Sequence, residues 1–212
     1  MDTKQAKGLL AVWTDITPGL EDEFNQWYDT EHVPERLSIP GFLTGRRYLS
    51  VEGKPKYFAL YETKEASVLS SEVYLKVYQA PTSWTKKITA NFQNMVRNLY
   101  EEILSLGTSP LTASPYVLTV RLGIDPEHEK EFNDWYNTDH LPALVKVPEV
   151  FAARRYKAIQ GAPSYLAVYD LESVEVLKTD AWAKARDSEW TLRIRSHFRD
   201  ASANVGKFIF GQ

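Results

Sequence analysis

Residues Glu23–Tyr48 return 108 positions later as Glu131–Tyr156. The first copy reads EFNQWYDTEHVPERLSIPGFLTGRRY and the second EFNDWYNTDHLPALVKVPEVFAARRY. A chain built this way is one fold written twice. Each copy occupies half of the 212 residues, so two small domains are expected, 1–106 and 107–212.

Within copy one, the apolar run Gly8–Ile16 reads as a strand that Thr17-Pro18-Gly19 ends. Phe24, Trp27, Tyr28 and Glu31 then recur at helical spacing, and Pro34 is expected to close that helix and open a short second turn. Phe42–Val51 and Lys56–Glu62 alternate as hairpin arms around Gly53-Lys54-Pro55. Ala66–Phe92 reads as mostly helical, interrupted at Pro81, and Val96–Leu104 as the last strand.

Copy two repeats the order. Its strands are expected at Tyr116–Gly123, Phe151–Ile159, Ser164–Asp170 and Asn204–Phe210. Its helices are expected from a cap at Asp125-Pro126 to Thr138, and over Val174–Phe198. Two residues are missing before Trp190, and Leu106–Pro115 reads as the linker. The order β-α-β-β-α-β is the ferredoxin-like arrangement, an α+β fold.

Two helices cover only one face of a four-stranded sheet. The bare face carries roughly ten side chains, each worth about 1.5–3 kcal/mol if apolar and buried. An uncovered face of that kind would aggregate. Fusion makes a second copy available at high effective concentration. The expected architecture is two tandem ferredoxin-like domains packed sheet to sheet, an intramolecular pseudo-dimeric α/β barrel with its helices outside.

The formal charge of −3 and the lack of a basic stripe give no reason to expect a nucleic-acid partner. Cysteine is absent, which excludes disulfides, thiol nucleophiles and Cys-ligated metals and fits a cytoplasmic protein. No apolar run reaches ~20 residues, so no membrane-spanning segment is expected, and MDTKQAKGLLAVW lacks the core of a signal peptide. There is no GxGxxG, P-loop, nucleophile elbow or HExxH, which disfavours dinucleotide, nucleoside-triphosphate and zinc-protease chemistry.

The pattern F-x-x-W-Y-x-x-x-H-x-P, then P-G-F and R-R-Y, resembles the EthD-like group of dimeric α/β-barrel proteins. The matching residues are Phe24, Trp27, Tyr28, His32, Pro34, Pro40, Gly41, Phe42, Arg46, Arg47 and Tyr48. Copy two matches through Phe132, Trp135, Tyr136, His140, Pro142, Pro148, Arg154, Arg155 and Tyr156, but has Glu149-Val150 where Gly-Phe is expected. The resemblance implies the barrel fold, here as a fused tandem duplication. Related barrels include cofactor-free monooxygenases, isomerases, dehydratases, decarboxylases and haem enzymes, so it is weak on chemistry.

The candidate catalytic residues are His32, His140, Arg46 and Arg154. A histidine near its usual pKa exchanges protons at neutral pH, and an arginine can hold an oxyanion. Strand alternation turns Arg46 and Arg154 toward the barrel and Arg47 and Arg155 toward the helices. The structural alternatives are a histidine that caps a helix end and an arginine that ties helix to strand through Glu31 or Asp139. Candidate substrate-binding residues are Tyr28, Tyr136, Tyr48, Tyr156, Tyr61, Tyr169 and Trp13. Trp13 and Arg121 stand at equivalent positions and break the symmetry of the copies. No metal site is expected: neither His32 nor His140 has a partner at ligand spacing, His128 reads as solvated, and His197 belongs to no constellation.

The leading functional expectation is a small enzyme without a cofactor. It would carry out lyase, dehydratase or isomerase proton transfer on a hydrophobic, aromatic or polyketide-like metabolite. The alternatives are a non-catalytic small-ligand-binding protein, and a cofactor-free monooxygenase or haem protein of the related barrel type. The expected partner is a small molecule, with dimerisation of the fused chain left open.

Overall fold

In a computed structural model, residues 7–110 and 113–212 are described; the first residues of the N-terminal segment and two of the linker fall outside them. Copy one contributes β1 (Gly8–Ile16), α1 (Glu21–Trp27), α2 (Val33–Leu37), β2 (Phe42–Glu52), β3 (Tyr57–Thr63), α3 (Glu72–Gln79), α4 (Ser83–Thr89) and β4 (Phe92–Gly107). Copy two contributes β5 (Tyr116–Ile124), α5 (Glu129–Trp135), α6 (Leu141–Leu144), β6 (Val150–Gln160), β7 (Tyr165–Leu171), α7 (Asp180–Arg186), α8 (Glu189–Ile194) and β8 (Phe198–Gly211).

The strands close into one antiparallel barrel in the order β1-β3-β2-β8-β5-β7-β6-β4. Each half keeps the ferredoxin-like order, and the expected fold is the observed one. The halves do more than face each other. Their edges are hydrogen-bonded along two seams, β2 with β8 and β4 with β6. Closure removes every free edge, and the register shifts on both seams supply the bends a small barrel needs.

Three cores follow from alternation along these strands. Leu9, Ala11, Trp13, Tyr48, Phe58, Leu60, Tyr100, Val117, Tyr156, Leu166 and Val168 fill the barrel. The opposite face of each sheet packs under its own helices, around Phe24 and Trp27 in copy one and Phe132 and Trp135 in copy two. Each hairpin turn leans on the last strand of the other copy. The Asn204 amide donates to the Pro55 carbonyl at 3.0 Å, and the Asn98 amide to the Pro163 carbonyl at 3.4 Å. Gly53 stands at φ +85°, where a Cβ would lie 2.1 Å from the Ala203 carbonyl oxygen, so only glycine fits.

Three local expectations are corrected. The break expected at Pro81 is present between α3 and α4, but 66–92 is broken again before α3, and 174–198, expected as one helix, is broken in the same way. In each, a 3-10 turn (Ala66–Ser70, Val174–Lys178) precedes two short helices, and the final strands begin early, at Phe92 and Phe198. The reason is capping: Ser71, Thr82, Thr179 and Ser188 take extended backbone. Each side chain accepts from the amide three residues on, restarting the helix. The two missing residues lie before Trp190, as expected: α7 is one residue shorter than α3, and its link to α8 is one shorter than the link from α3 to α4.

Secondly, Pro34 does not end its helix. The chain widens into a π-helical turn, Tyr28–His32, whose closing bond runs from the Val33 amide to the Tyr28 carbonyl, and continues as α2. Tyr136–His140 repeats this before Pro142. Proline has no N–H for the carbonyl four residues back and its ring crowds that carbonyl; one wide turn relieves both. Thirdly, the Asp125 side chain caps nothing. It accepts from Arg199 Nη2 at 2.8 Å instead.

Candidate functional site

The two π turns sit over the outer faces of their sheets, each beside a cavity. In copy one the Trp27 indole donates to Thr85 Oγ1 at 3.1 Å and to Glu31 Oε1 at 3.2 Å. Glu31 also accepts from Thr82 at 2.6 Å, and Glu23 from the Trp84 indole at 3.1 Å. Copy two repeats the scheme with Trp135 on Thr191 (3.1 Å), Ser188 on Asp139 (2.6 Å) and Trp190 on Glu131 (2.9 Å). The polar letters of the repeated motif therefore bolt α1 to α4 and α5 to α8.

The strand arginines divide as alternation requires. Arg47 and Arg155 face the helices, 4.3 and 4.2 Å above the Tyr28 and Tyr136 rings. Arg47 donates to Asp29 and Asn25, and Arg155 to Asn137 and Asn133. The expected tie of helix to strand is real, but its acceptors are these residues rather than Glu31 and Asp139. Arg154 faces the barrel, where it holds Asp170 at 2.8 Å and, across the seam, Glu62 at 2.5 Å. Arg46 joins it at a polar recess of about 270 Å³ with Lys7, Glu62 and Glu102.

His32 lies flat on Trp27, ring centroids 4.4 Å apart, and edge-on to Tyr28 at 5.2 Å. His140 repeats this on Trp135 and Tyr136 at 4.4 and 5.1 Å. Both Nδ1 atoms are buried with no hydrogen-bond partner among the described residues. Burial, then the positive charge of Arg36 and Arg47, holds His32 well below the usual histidine pKa. Burial, then Arg195 and Arg155, holds His140 down at about 3. Both are neutral at pH 7.

The copy-one cavity has a volume of about 280 Å³, and Trp27, Tyr28, His32, Arg36, Tyr74 and Arg97 are among its walls. The copy-two cavity is smaller, about 150 Å³, with Trp135, Tyr136, His140, Tyr169, Arg186 and Arg195. Tyr61 packs into the same helix-side core as Tyr28. The remaining expected residues, Tyr48, Tyr156 and Trp13, fill the barrel with Arg46 and Arg154 nearby. The sheet thus separates the expected constellation: no histidine shares a compartment with Arg46 or Arg154.

Arg36, Tyr74, Tyr78 and Arg97 escaped sequence reasoning. Position 36 carried a usable signal, because the equivalent residue of copy two is Leu144. His128 is also not merely solvated. Its ring stacks on His197 at 3.4 Å, and Asp125, His128 and His197 place ligand-type atoms within 4.8 Å of one another. Asp125 is already held by Arg199 at 2.7 Å, however.

Haem, considered from the resemblance, suits neither cavity. Both volumes lie below the ordinary range for drug-sized ligands. An iron-ligating histidine is normally oriented by a bond from its other ring nitrogen, and both Nδ1 atoms lack one. Among the described residues no helix is long and apolar enough to cross a membrane.

No protein-family model matches the chain, and no curated protein matches it in sequence. Solved structures do. An anthrone oxidase-like protein aligns at TM-score 0.68 with 13% identity, over 99% of this chain and 94% of that one. A protein named as a monooxygenase from Fusobacterium nucleatum aligns at 0.69 with 6% identity, over 98% and 94%. A chlorite dismutase from Candidatus Nitrospira defluvii aligns at 0.63 with 11% identity, over 98% and 92%. At these identities what is shared is the fold, the dimeric α/β barrel completed within one polypeptide.

Proposed function

We propose that the chain is a small enzyme that binds a flat, largely apolar metabolite in the copy-one cavity and removes a proton from it. One observation carries this reading: a neutral, unpartnered histidine and a buried arginine meet in an aromatic-walled cavity beside a π turn. Such turns recur at functional sites. With Nδ1 sealed, Nε2 is the nitrogen of His32 left to take the proton.

Desolvation makes His32 a weak base in the empty site. A ligand that becomes anionic as it loses its proton offsets this, since the anion stabilises the imidazolium and Arg36 stabilises the anion. Returning the proton to another atom is an isomerisation; delivering it to a leaving hydroxyl, with loss of water, is a dehydration. The same deprotonation prepares an electron-rich anion for dioxygen, the chemistry implied by the names anthrone oxidase-like and monooxygenase among the fold neighbours. Kinship with the EthD-like proteins rests on the repeated motif. We place the working site in half 1–106 and give half 107–212 a supporting role.

A second reading has its own observation. Most polar groups of the motif are already engaged in holding helices together, as a ligand-binding protein without chemistry would require. Proton–deuteron exchange separates the two. A panel of enolisable aromatic ketones is followed by NMR in heavy water, with wild type, His32→Gln and His140→Gln. Enzyme-catalysed exchange lost in His32→Gln and retained in His140→Gln is expected. Exchange that survives in His32→Gln overturns His32 as the base; binding with no exchange in any protein selects the binding reading.

A further inference from the structure

We propose that the ligand of the copy-one cavity carries an anionic oxygen group, a carboxylate or phenolate, and that Arg36 is the residue that receives it. This rests on the functional reading above and names its substrate class.

Arg36 is 6% exposed on α2. Among the described residues no atom accepts a hydrogen bond from its Nη1. The nearest carboxylate oxygen, Glu35 Oε2, lies 3.7 Å from Nη1, beyond hydrogen-bond reach. The Tyr74 ring is 5.9 Å from the guanidinium carbon, a weak contact. Burying a guanidinium without a bonded partner costs several kcal/mol. A second cation, Arg97, lines the same cavity, donates to the Tyr74 hydroxyl and lies 4.6 Å over the Tyr78 ring. No described residue lining the cavity is acidic. The site thus joins positive charge to apolar walls, the complement of an aromatic acid.

Copy two serves as an internal control. Its α6 places Leu144 where α2 places Arg36, and Leu144 is 1% exposed in the core. The fold therefore does not need an arginine there. The arginines of that cavity are closely paired: Asp187 takes Arg186 and Arg195, each at 2.5 Å. One cavity offers a buried guanidinium held only by a 3.7 Å ion pair with Glu35, and the other does not. A guanidinium fork matches two carboxylate oxygens better than any neutral group.

Quenching of tryptophan fluorescence tests the assignment with two probes of one shape, 2-naphthoate and 2-naphthamide. Wild type is expected to bind the carboxylate at least tenfold more tightly. Arg36→Leu, which installs the residue of copy two, should weaken the carboxylate tenfold or more, leave the amide unchanged and melt no lower than wild type. Arg36→Lys should retain part of the preference. Equal affinity of wild type for the two probes, or undiminished carboxylate binding in Arg36→Leu, overturns the charge assignment and leaves the ligand site standing. Failure of both probes to bind wild type overturns the site and the charge assignment together.

Discussion

Neutral histidines inside the helical layers make the protein acid-sensitive in a way that can be calculated for one of them. Folded His140 titrates at about 3, against 6.5 for an ordinary histidine. Between those values the unfolded chain binds a proton that the folded chain refuses. Stability is therefore complete above pH 6.5 and declines as pH falls toward 3. At pH 5 the gap is 1.5 pH units, or about 2 kcal/mol at 1.36 kcal/mol per unit. His32 acts in the same direction, since burial lowers it as well. The assay is urea unfolding at pH 7 and 5 for wild type and His140→Phe, which keeps a ring on Trp135 but cannot titrate. With a slope near 3 kcal/mol per M, the variant should lose about 0.7 M less in midpoint than wild type over that interval. Carboxylates titrate alike in both proteins and cancel. Equal losses would refute the reasoning, because His140 would then accept its proton in the folded state. Neutrality of the paired site in copy one, argued on the same ground, would fall with it.

Other perturbations test the frame that carries the site. Thr191→Val leaves the Trp135 indole without an acceptor and should cost about 1–3 kcal/mol by chemical denaturation; Thr85→Val should cost less, because the Trp27 indole keeps Glu31. Arg154→Met strands Glu62 and Asp170 at the seam and should cost about 3–5 kcal/mol, part of which returns on adding Glu62→Gln and Asp170→Asn. Gly206→Ala drives a Cβ to 2.2 Å from the Phe58 ring inside the barrel and should lower the melting temperature by overpacking.

What could be read in advance follows from which interactions are local. Helical spacing placed Phe24, Trp27 and Tyr28 on one stripe, and they do pack together. Strand alternation turned Arg46 and Arg154 inward and Arg47 and Arg155 outward, again as observed. The duplication implied the closed pair of sheets. Illegible were relations set by the tertiary fold. Nothing local tells that the wall between His32 and Arg46 is the sheet itself. Nothing local joins Arg97 on β4 to Arg36 on α2, or His128 to His197. The restarts at Ser71, Thr179 and Ser188 were missed for another reason: these are ordinary cap residues, but no proline or glycine beside them marks the break, as Pro81 does beside Thr82.

Fusion explains why the copies are free to differ. Trp13 and Arg121 hold equivalent positions, and both face the barrel interior, where the Arg121 guanidinium lies 4.3 Å from the Trp13 ring centroid. Arg121 is 4% exposed, and its closest described acceptor, Asn204 Oδ1, is 3.5 Å away. A symmetric dimer of either half would bring like residues together there. Two buried guanidiniums would repel, and two indoles would need more room than a Trp–Arg stack. A cation over an indole face is a favourable pair only when the two sides differ. That contact binds each half to an unlike partner, so neither copy can serve as its own mate. Once the barrel depends on an unequal pair, the outer cavities are free to diverge as well. Arg36 facing ligand space in one copy and Leu144 filling core in the other is the same asymmetry carried to the surface where chemistry is possible.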